Sequence, residues 1–262
     1  MSEFISSTLR ALGFLSRISI PAQHFSADHR ACDDAHVYPV AGLVIAFPAF
    51  IIIALLGFFP GTDIIAAILA IASLIFITGA LHEDGLGDVA DGFFATNDRA
   101  KMLEIMRDPH LGTFGTLALI ISLLLKVASL HILLVSLGAW SAAFLLVSIE
   151  AVSRSAMVWH WHALQNARPG GKADQAGQPT ERQALIAFTI GVPVFLGGCL
   201  ITQISILAAI ATTAIGAIAV IGFKRYCLFK LNGHTGDTVG ATQQIVSVVV
   251  LVMLAIFSGL PT

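Results

Sequence analysis

The sequence predicts an all-α protein, a polytopic integral membrane bundle of about seven transmembrane helices preceded by an N-terminal interfacial helix. Two observations predict this fold class. Of the 262 residues, 56% are hydrophobic and only 11% are charged, with a mean hydropathy of +0.87, whereas soluble domains are far more polar. Several apolar stretches also reach the length of about 20 residues that a helix needs to cross a bilayer. We therefore expect residues 1–262 to form one integral membrane domain.

The first element, within residues 1–37, is too polar to cross the bilayer. Its segment "FISSTLRALGFLSRISIP" interleaves two arginines with apolar side chains: Arg10, Arg17, Phe4, Leu9, Leu12, Phe14, Leu15 and Ile18. A helix with this pattern is typical of segments that lie on the membrane surface.

Seven hydrophobic helices are predicted after this segment. They are placed at 38–59, 63–81, 113–137, 139–163, 185–203, 205–223 and 241–259. Within 185–223, Pro193, Gly197 and Gly198 fit either a kink in one span or a turn between two short spans.

The distribution of positive charge predicts the orientation. With seven spans, four segments face the same side, and each of them carries three Lys or Arg residues: 1–37, 82–112, 164–184 and 224–240. They hold twelve of the fourteen basic residues, and the opposite side holds none. Because Lys and Arg are retained on the cytoplasmic side, we expect these segments in the cytoplasm, which also favours two spans over 185–223.

The stretch "LHEDGLGDVADGFF", residues 81–94, concentrates acids at the end of an apolar run. If it is helical, Asp84, Asp88 and Asp91 stand at i, i+4 and i+7 on one face. Carboxylates stacked in this way repel one another unless a cation lies among them. Oxygen ligands select a hard cation, so the three aspartates predict a Mg²⁺ site. The alternative is a solvated acidic loop at the end of a transmembrane helix.

Glycines accompany the acids in two places. Gly85, Gly87 and Gly92 are expected to leave room for a bulky anionic substrate beside the backbone. A second segment, "LNGHTGDTVGATQQ" at 231–244, repeats the construction with an aspartate among three glycines: Asp237, Gly233, Gly236 and Gly240. An aspartate in such a segment is also typical of a turn or a helix cap.

A third segment, "LEIMRDPHLGTFG" at 103–115, lies just before a span. There Arg107 could hold a phosphate group, which Asp108 could orient. In the loop 164–184, Arg168 is a further candidate for substrate binding.

Three charged residues fall inside predicted spans, where charge is costly and must pair or line a cavity. Glu150 and Arg154 stand at i, i+4, which favours a structural ion pair. Arg154 and Lys126 could instead bind substrate phosphate or amide groups. The three cysteines show no CxxC spacing, so no disulfide framework or zinc site is predicted, and no basic domain for nucleic acid is present.

The segments "HEDGLGDVADGFF", "EIMRDPHLGTFG" and "GHTGDTVGA" resemble, in order, the signature segments of the cobalamin-5′-phosphate synthase (adenosylcobinamide-GDP ribazoletransferase) family. The resemblance extends over nearly the whole chain, through "FLSRISIP", "VYPVAGLVIA", "SLLLKVASL" and "SRSAMV". It implies a Mg²⁺-dependent inner-membrane enzyme that joins adenosylcobinamide-GDP to α-ribazole or its 5′-phosphate and releases GMP. Its partners would be these small molecules, membrane lipid and other cobalamin-assembly enzymes.

For that reaction, the metal on the three aspartates would stabilise charge on the departing GMP. A ribose hydroxyl of α-ribazole would attack, and its proton could be taken by Asp91, His82 or Asp237, with Asp91 slightly favoured.

Two other classes fit parts of the sequence. The CDP-alcohol phosphotransferases also use clustered aspartates with glycine, but the arginine of their D-x-x-D-G-x-x-A-R pattern is absent after "DGFFA". A cation transporter would be expected to place its acids near the bilayer midplane, whereas these acids fall at the ends of predicted spans.

Overall fold

The computed structural model describes residues 3–26, 28–168, 170 and 172–259, and these residues fold into α-helices without a β-strand. The helices are α1 (Glu3–Leu15), α2 (Tyr38–Leu56), α3 (Asp63–Thr78), α4 (Leu81–Ala95), α5 (Arg99–Ile105), α6 (Thr113–Leu137), α7 (Ala139–Ala163), α8 (Lys172–Gln175), α9 (Glu181–Ile201), α10 (Ile206–Leu231) and α11 (Gly236–Ser258). Two short 3₁₀ helices, Ala22–His24 and Ala31–Val37, connect α1 to α2.

Six of the described helices are long and apolar enough to cross a membrane: α2, α6, α7, α9, α10 and α11. The pair α3 and α4 makes a seventh candidate, bent by 88° at its junction. The predicted fold class, a bundle of about seven membrane helices, is confirmed. The larger boundary differences are at α9, α10 and α11, which extend further toward the polar loops than the hydrophobic pattern indicates.

The bend between α3 and α4 has a local cause. Gly79 and Ala80 both adopt left-handed backbone conformations, with φ of 66° and 60°. The amide of Ala80 donates to the carbonyl of Ile75 at 2.9 Å, which closes the last turn of α3. The chain then restarts as a helix in a new direction, so the acid-rich stretch crosses the end of α3 instead of extending it.

The region 185–223 forms two helices, as the charge distribution favoured. The break lies between Ile201 and Ile206, where Gln203 has a φ of 59°. Pro193 and both nearby glycines lie inside α9, so they do not form the turn.

Helix α7 lies at the centre of the bundle and has the largest buried share of the candidate spans. It packs closely against α2, since a Cβ atom on Gly42 would overlap the carbonyl group of Glu150. The N-terminal helix α1 is anchored at the end of the bundle by Arg10, whose Nε and Nη2 donate to the carboxylate of Asp34 at 2.9 and 2.8 Å. Apolar side chains of α1, including Phe4 and Phe14, remain exposed.

Candidate active site

The acid-rich helix α4 packs directly on the start of α11. A Cβ atom on Gly85 would lie 2.7 Å from the carbonyl oxygen of Asp237, and one on Gly240 would lie 3.4 Å from the Cα of His82. The absence of these side chains lets the two helices approach. As a result, Asp237 comes close enough to Asp88 for their carboxylates to repel each other, and the first and second acidic segments share one site.

The glycines of α4 therefore have a different role from the one expected. The space beside Gly85, Gly87 and Gly92 is filled by protein: the Asp237 backbone, Leu111 and Met106, respectively. The expectation that these glycines leave room for substrate is wrong. Protein atoms occupy the space beside them, and the glycines permit close packing of neighbouring segments.

Asp91 differs from the other two aspartates of α4, because it is buried and its carboxylate already accepts two backbone hydrogen bonds. Its Oδ2 accepts the amide of Gly112 at 2.7 Å, and its Oδ1 accepts the amide of Gly115 at 2.9 Å. These amides belong to the first turn of α6, whose N–H groups lack partners within the helix. Asp91 thus caps α6 from another helix, which the spacing along α4 did not indicate.

A cavity of about 740 Å³ opens beside Asp84 and Asp237. Two arginines join these acids in its wall, Arg107 and Arg168. Arg168 lies 3.5 Å from Asp237 through Nη1 and donates from Nη2 to the carbonyl of Leu103 at 2.8 Å. Burial lowers the pKa of Arg168, against the opposing effect of the Asp237 carboxylate, but the guanidinium stays charged at neutral pH.

Two buried histidines also line this cavity, His82 and His234. In the described part of the chain, neither ring nitrogen of His234 has a hydrogen-bond partner, and the same is true of Nε2 of His82. Burial lowers the pKa of His234 to about 4, so it is neutral at pH 7. His234 was not among the predicted site residues, although it stands in the segment "GHTGDTVGA" that pointed to Asp237.

Asp108 lies outside the cavity wall. It is exposed and accepts hydrogen bonds from the backbone amide of His110 at 2.9 Å and from its ring at 2.7 Å. These bonds lower the pKa of Asp108. The position favours a turn-stabilising role over orientation of a phosphate, whereas its neighbour Arg107 lines the cavity.

The buried basic residues Lys126 and Arg154 do not line the cavity either. Lys126 donates to the side-chain oxygen of Gln244 and lies 3.9 Å from the carboxylate of Glu83, to which Gln244 also donates at 2.9 Å. These contacts join α4, α6 and α11 through their side chains.

Arg154 forms the predicted ion pair with Glu150, one turn earlier on α7. Gln243 of α11 donates to the same carboxylate at 3.2 Å, and Ser247 donates to its other oxygen at 3.4 Å. Gln243 also accepts from Gln244 at 2.9 Å, which links this pair to the Lys126 group. We therefore assign Lys126 and Arg154 to holding the helices together.

The residues at the cavity suit a hard cation that keeps much of its water. Among the described residues, no three His, Cys, Asp or Glu side chains are grouped so that they could hold a metal ion. Mg²⁺ in proteins commonly uses one or two carboxylates and completes its shell with water and substrate phosphate. Asp84, Asp88 and Asp237 offer such oxygens, whereas both oxygens of Asp91 already accept backbone amides.

The fold and the site define a polytopic membrane protein with a cavity of mixed acidic and basic groups at one end of its helix bundle. The family model described as cobalamin-5-phosphate synthase matches residues 7–255. The chain belongs to this family.

Curated relatives match over nearly their whole length. A protein of Brucella anthropi is 42% identical over 95% of this chain and 96% of its own, and one of Sinorhizobium medicae is 40% identical over 97% of both. One from Rhizobium meliloti is 41% identical over 97% of both chains. Each relative is named adenosylcobinamide-GDP ribazoletransferase. No solved structure matches the chain.

Proposed function

We propose that this protein is an adenosylcobinamide-GDP ribazoletransferase. It would join adenosylcobinamide-GDP to α-ribazole or α-ribazole 5′-phosphate and release GMP, the last assembly step of the cobalamin nucleotide loop. The proposal rests on the match of the chain, over at least 95% of its length, to relatives named for this activity. A cavity that combines carboxylates with arginines suits a reaction at a pyrophosphate.

Arg107 and Arg168 are the groups that we assign to the phosphates of the activated corrinoid. Both line the cavity, and a guanidinium can donate two parallel hydrogen bonds to phosphate oxygens. Arg168 is already oriented by the carbonyl of Leu103 and by Asp237. It can therefore bind substrate with little further loss of side-chain entropy.

For the metal, we propose Mg²⁺ bound by one or two of the carboxylates of Asp84, Asp88 and Asp237 in place of Asp91, with water and substrate phosphate completing its shell. Asp84 and Asp237 line the cavity, and Asp88 lies within electrostatic range of both. When bound, the ion would neutralise the pyrophosphate and the charge that develops on the departing GMP. Crowding of carboxylates at one place is costly without such a cation.

We assign His82 to accept the proton of the attacking ribose hydroxyl. His82 lines the cavity next to Asp84, and its Nε2 has no hydrogen-bond partner among the described residues. Asp91 is less suited, because its two oxygens hold the first turn of α6. Asp237 stays an alternative base, although its carboxylate already lies 3.5 Å from Nη1 of Arg168.

The function is tested by measuring GMP release from purified protein. We expect release to require adenosylcobinamide-GDP, an α-ribazole substrate and Mg²⁺ together. Asp84→Asn should abolish turnover, whereas Asp63→Asn should not, because Asp63 lies in the first turn of α3 and outside the cavity wall. Absence of GMP release from the folded wild type, or cation uptake by proteoliposomes, would reject the enzyme and favour a transporter.

We further propose that the protein resides in the cell inner membrane with this cavity facing the cytoplasm, where lipid and the neighbouring cobalamin-assembly enzymes would be its partners. The one-sided distribution of Lys and Arg supports this orientation. The native Cys32, Cys199 and Cys227 are buried, so an introduced Asp174→Cys can be labelled selectively. Labelling by an impermeant reagent from the periplasm would contradict the orientation.

A further inference from the structure

A groove lies between α9 and α10, away from the cavity of the acidic cluster. Both helices are candidate membrane spans, and its floor comes from two further candidate spans, α7 and α11. On α10 the residues that line it repeat at intervals of three or four and share one face: Thr213, Gly216, Ala217, Val220 and Ile221. This face extends over roughly 12 Å of helix. The groove is therefore elongated along the helices and lies within the membrane-spanning part of the bundle.

The packing of the four helices explains why the groove exists. Helix α9 packs on α7, where a Cβ atom on Gly191 would overlap a side chain, and α10 packs on α11, where a Cβ atom on Gly216 would lie 3.5 Å from Val250. Val250, at the floor, is only 2% exposed, whereas Phe188 of α9 and Ile221 of α10 are 50% and 42% exposed. The groove is thus closed toward the protein and open toward the surroundings of the bundle.

The surface of the groove is almost entirely carbon. Its two hydroxyl groups, on Ser155 and Thr213, donate to the backbone carbonyls of Ala187 and Ala209 at 2.7 and 2.8 Å. Water in the groove would find few hydrogen-bond partners, whereas a hydrocarbon chain would contact carbon atoms of several helices.

The size of the groove limits what it can hold. Its volume is about 150 Å³, and carbon-lined cavities of about this volume take up groups of the size of benzene. A segment of one acyl chain therefore fits. A helix of a second copy of this chain, about 10 Å across with its side chains, does not.

Positive charge lies at the end of the groove that is nearest the polar loops. Lys224 and Arg225 follow Ile221 on α10 at i+3 and i+4 and continue its face. Nζ of Lys224 lies 5.1 Å from the ring centroid of Trp159, a groove residue of α7, so the ring holds the ammonium group near the end of the groove. Within the ranges that the structure describes, neither basic residue forms an ion pair with a carboxylate. Their charge is available to an anion.

We propose that the groove binds an anionic phospholipid, with one acyl chain between α9 and α10 and the headgroup phosphate at Lys224 and Arg225. Basic pockets between membrane helices recognise anionic headgroups in this way. A zwitterionic lipid could place its chain in the groove, but its choline would bring a further positive charge to the two basic residues. In the orientation proposed above, the lipid belongs to the cytoplasmic leaflet. This site is independent of catalysis, since none of its lining residues lines the cavity of the acidic cluster.

Quenching of Trp159 by brominated acyl chains tests the proposal. The full chain has three tryptophans, so Trp140→Phe and Trp161→Phe leave Trp159 alone. In phosphatidylcholine nanodiscs with a small fraction of phosphatidylglycerol brominated near the ester, we expect stronger quenching than from the same fraction of brominated phosphatidylcholine. Lys224→Gln should lower this preference about fivefold. Lys101→Gln, which changes an exposed lysine of α5, should leave it unchanged.

A second pair of variants locates the acyl chain. Ala217 and Ala214 are both exposed on α10, one turn apart, but only Ala217 lines the groove. Ala217→Phe should reduce quenching by both brominated lipids, because the larger side chain occupies the groove. Ala214→Phe should have no effect. All variants are compared as protein whose thermal unfolding matches that of the parent.

Three outcomes would overturn the proposal. Equal quenching by the two lipids at the same fraction would show that the groove does not select an anionic headgroup. Equal responses to Ala217→Phe and Ala214→Phe would place the quenching chain outside the groove. Nanodiscs that hold two protomers, with Trp159 protected from both lipids, would assign the groove to a second copy of the chain. No substrate is present in these measurements, so failure of the proposed transferase activity would leave their outcomes unchanged.

Discussion

Charged side chains in the interior of the bundle differ in burial and in pairing from those at the cavity at its end. In the interior, Lys126 and Arg154 are almost fully buried. Lys126 donates to Gln244 of α11 and lies near Glu83, and Arg154 pairs with Glu150, whose carboxylate also accepts from Gln243 of α11. At the cavity, Asp84 is exposed and lies near Asp88, a residue of the same charge. Paired charges without solvent hold helices in register, whereas exposed charges beside a cavity are available to a ligand. The contrast separates structural from functional charges that look alike in the sequence.

The largest expected effect comes from breaking the interior pair. Arg154→Met should lower the free energy of unfolding by about 3–5 kcal/mol, because it leaves the carboxylate of Glu150 buried without its partner. The double variant with Glu150→Gln should recover part of the loss. Thermal unfolding in detergent measures both, with the exposed Arg225→Met as control. A single variant as stable as the control would mean that the interior pair does not hold α7 in place.

The second prediction concerns the acids shared between α4 and α11. Asp88→Asn and Asp237→Asn should each lower turnover about 10²–10³-fold, the range for loss of one electrostatic group at a site of developing charge. Because the two act on one ligand, the double variant should be little worse than either single variant. Turnover of Asp237→Asn within a few-fold of wild type would exclude Asp237 from the site.

A substitution of Asp91 distinguishes a capping role from a catalytic role on the same helix, α4. If Asp91 caps α6, Asp91→Asn should cost about 0.5–2 kcal/mol of stability, while turnover per folded molecule should fall far less than in Asp88→Asn. Unfolding and steady-state rates on the same preparation distinguish the two effects. If Asp91→Asn lost as much turnover as Asp88→Asn without losing stability, Asp91 would be identified as the base or as a metal ligand.

The smallest effect is a pH dependence of stability from His234. Its folded pKa of about 4 lies below its usual value of 6.5, so the unfolded chain takes up the proton first. The stability contributed by neutral His234 is present above pH 6.5 and is lost as the pH falls toward 4; between pH 7 and 6 the loss should be under about 1 kcal/mol. His234→Gln should reduce this dependence, as measured by unfolding at several pH values. An unchanged slope would show that His234 is solvated.

The sequence predicted the helices and the acidic site to different extents. Apolar length identified the spans, and the spacing of Asp84 and Asp88 correctly implied a shared helical face. The partners of Asp91 lie 21 and 24 residues away on another element, and the acceptor of Lys126 lies 118 residues away. Spacing along one helix says nothing about such contacts. The prediction for the glycines was wrong for the same reason, because the atoms that pack against Gly85, Gly87 and Gly92 come from other segments of the chain.

The interior contacts also bear on how the protein is made. Gln244, which accepts from Lys126, and Gln243, which donates to the Glu150 partner of Arg154, lie on α11, which is synthesised after α6 and α7. A charge left in hydrocarbon without its partners is costly, so α6, which carries Lys126, reaches its final position in the bilayer only after α11 has been synthesised. Chains that stop before residue 236 should therefore remain incompletely assembled and be degraded by membrane quality-control proteases, so the synthesis of α11 controls whether the protein matures.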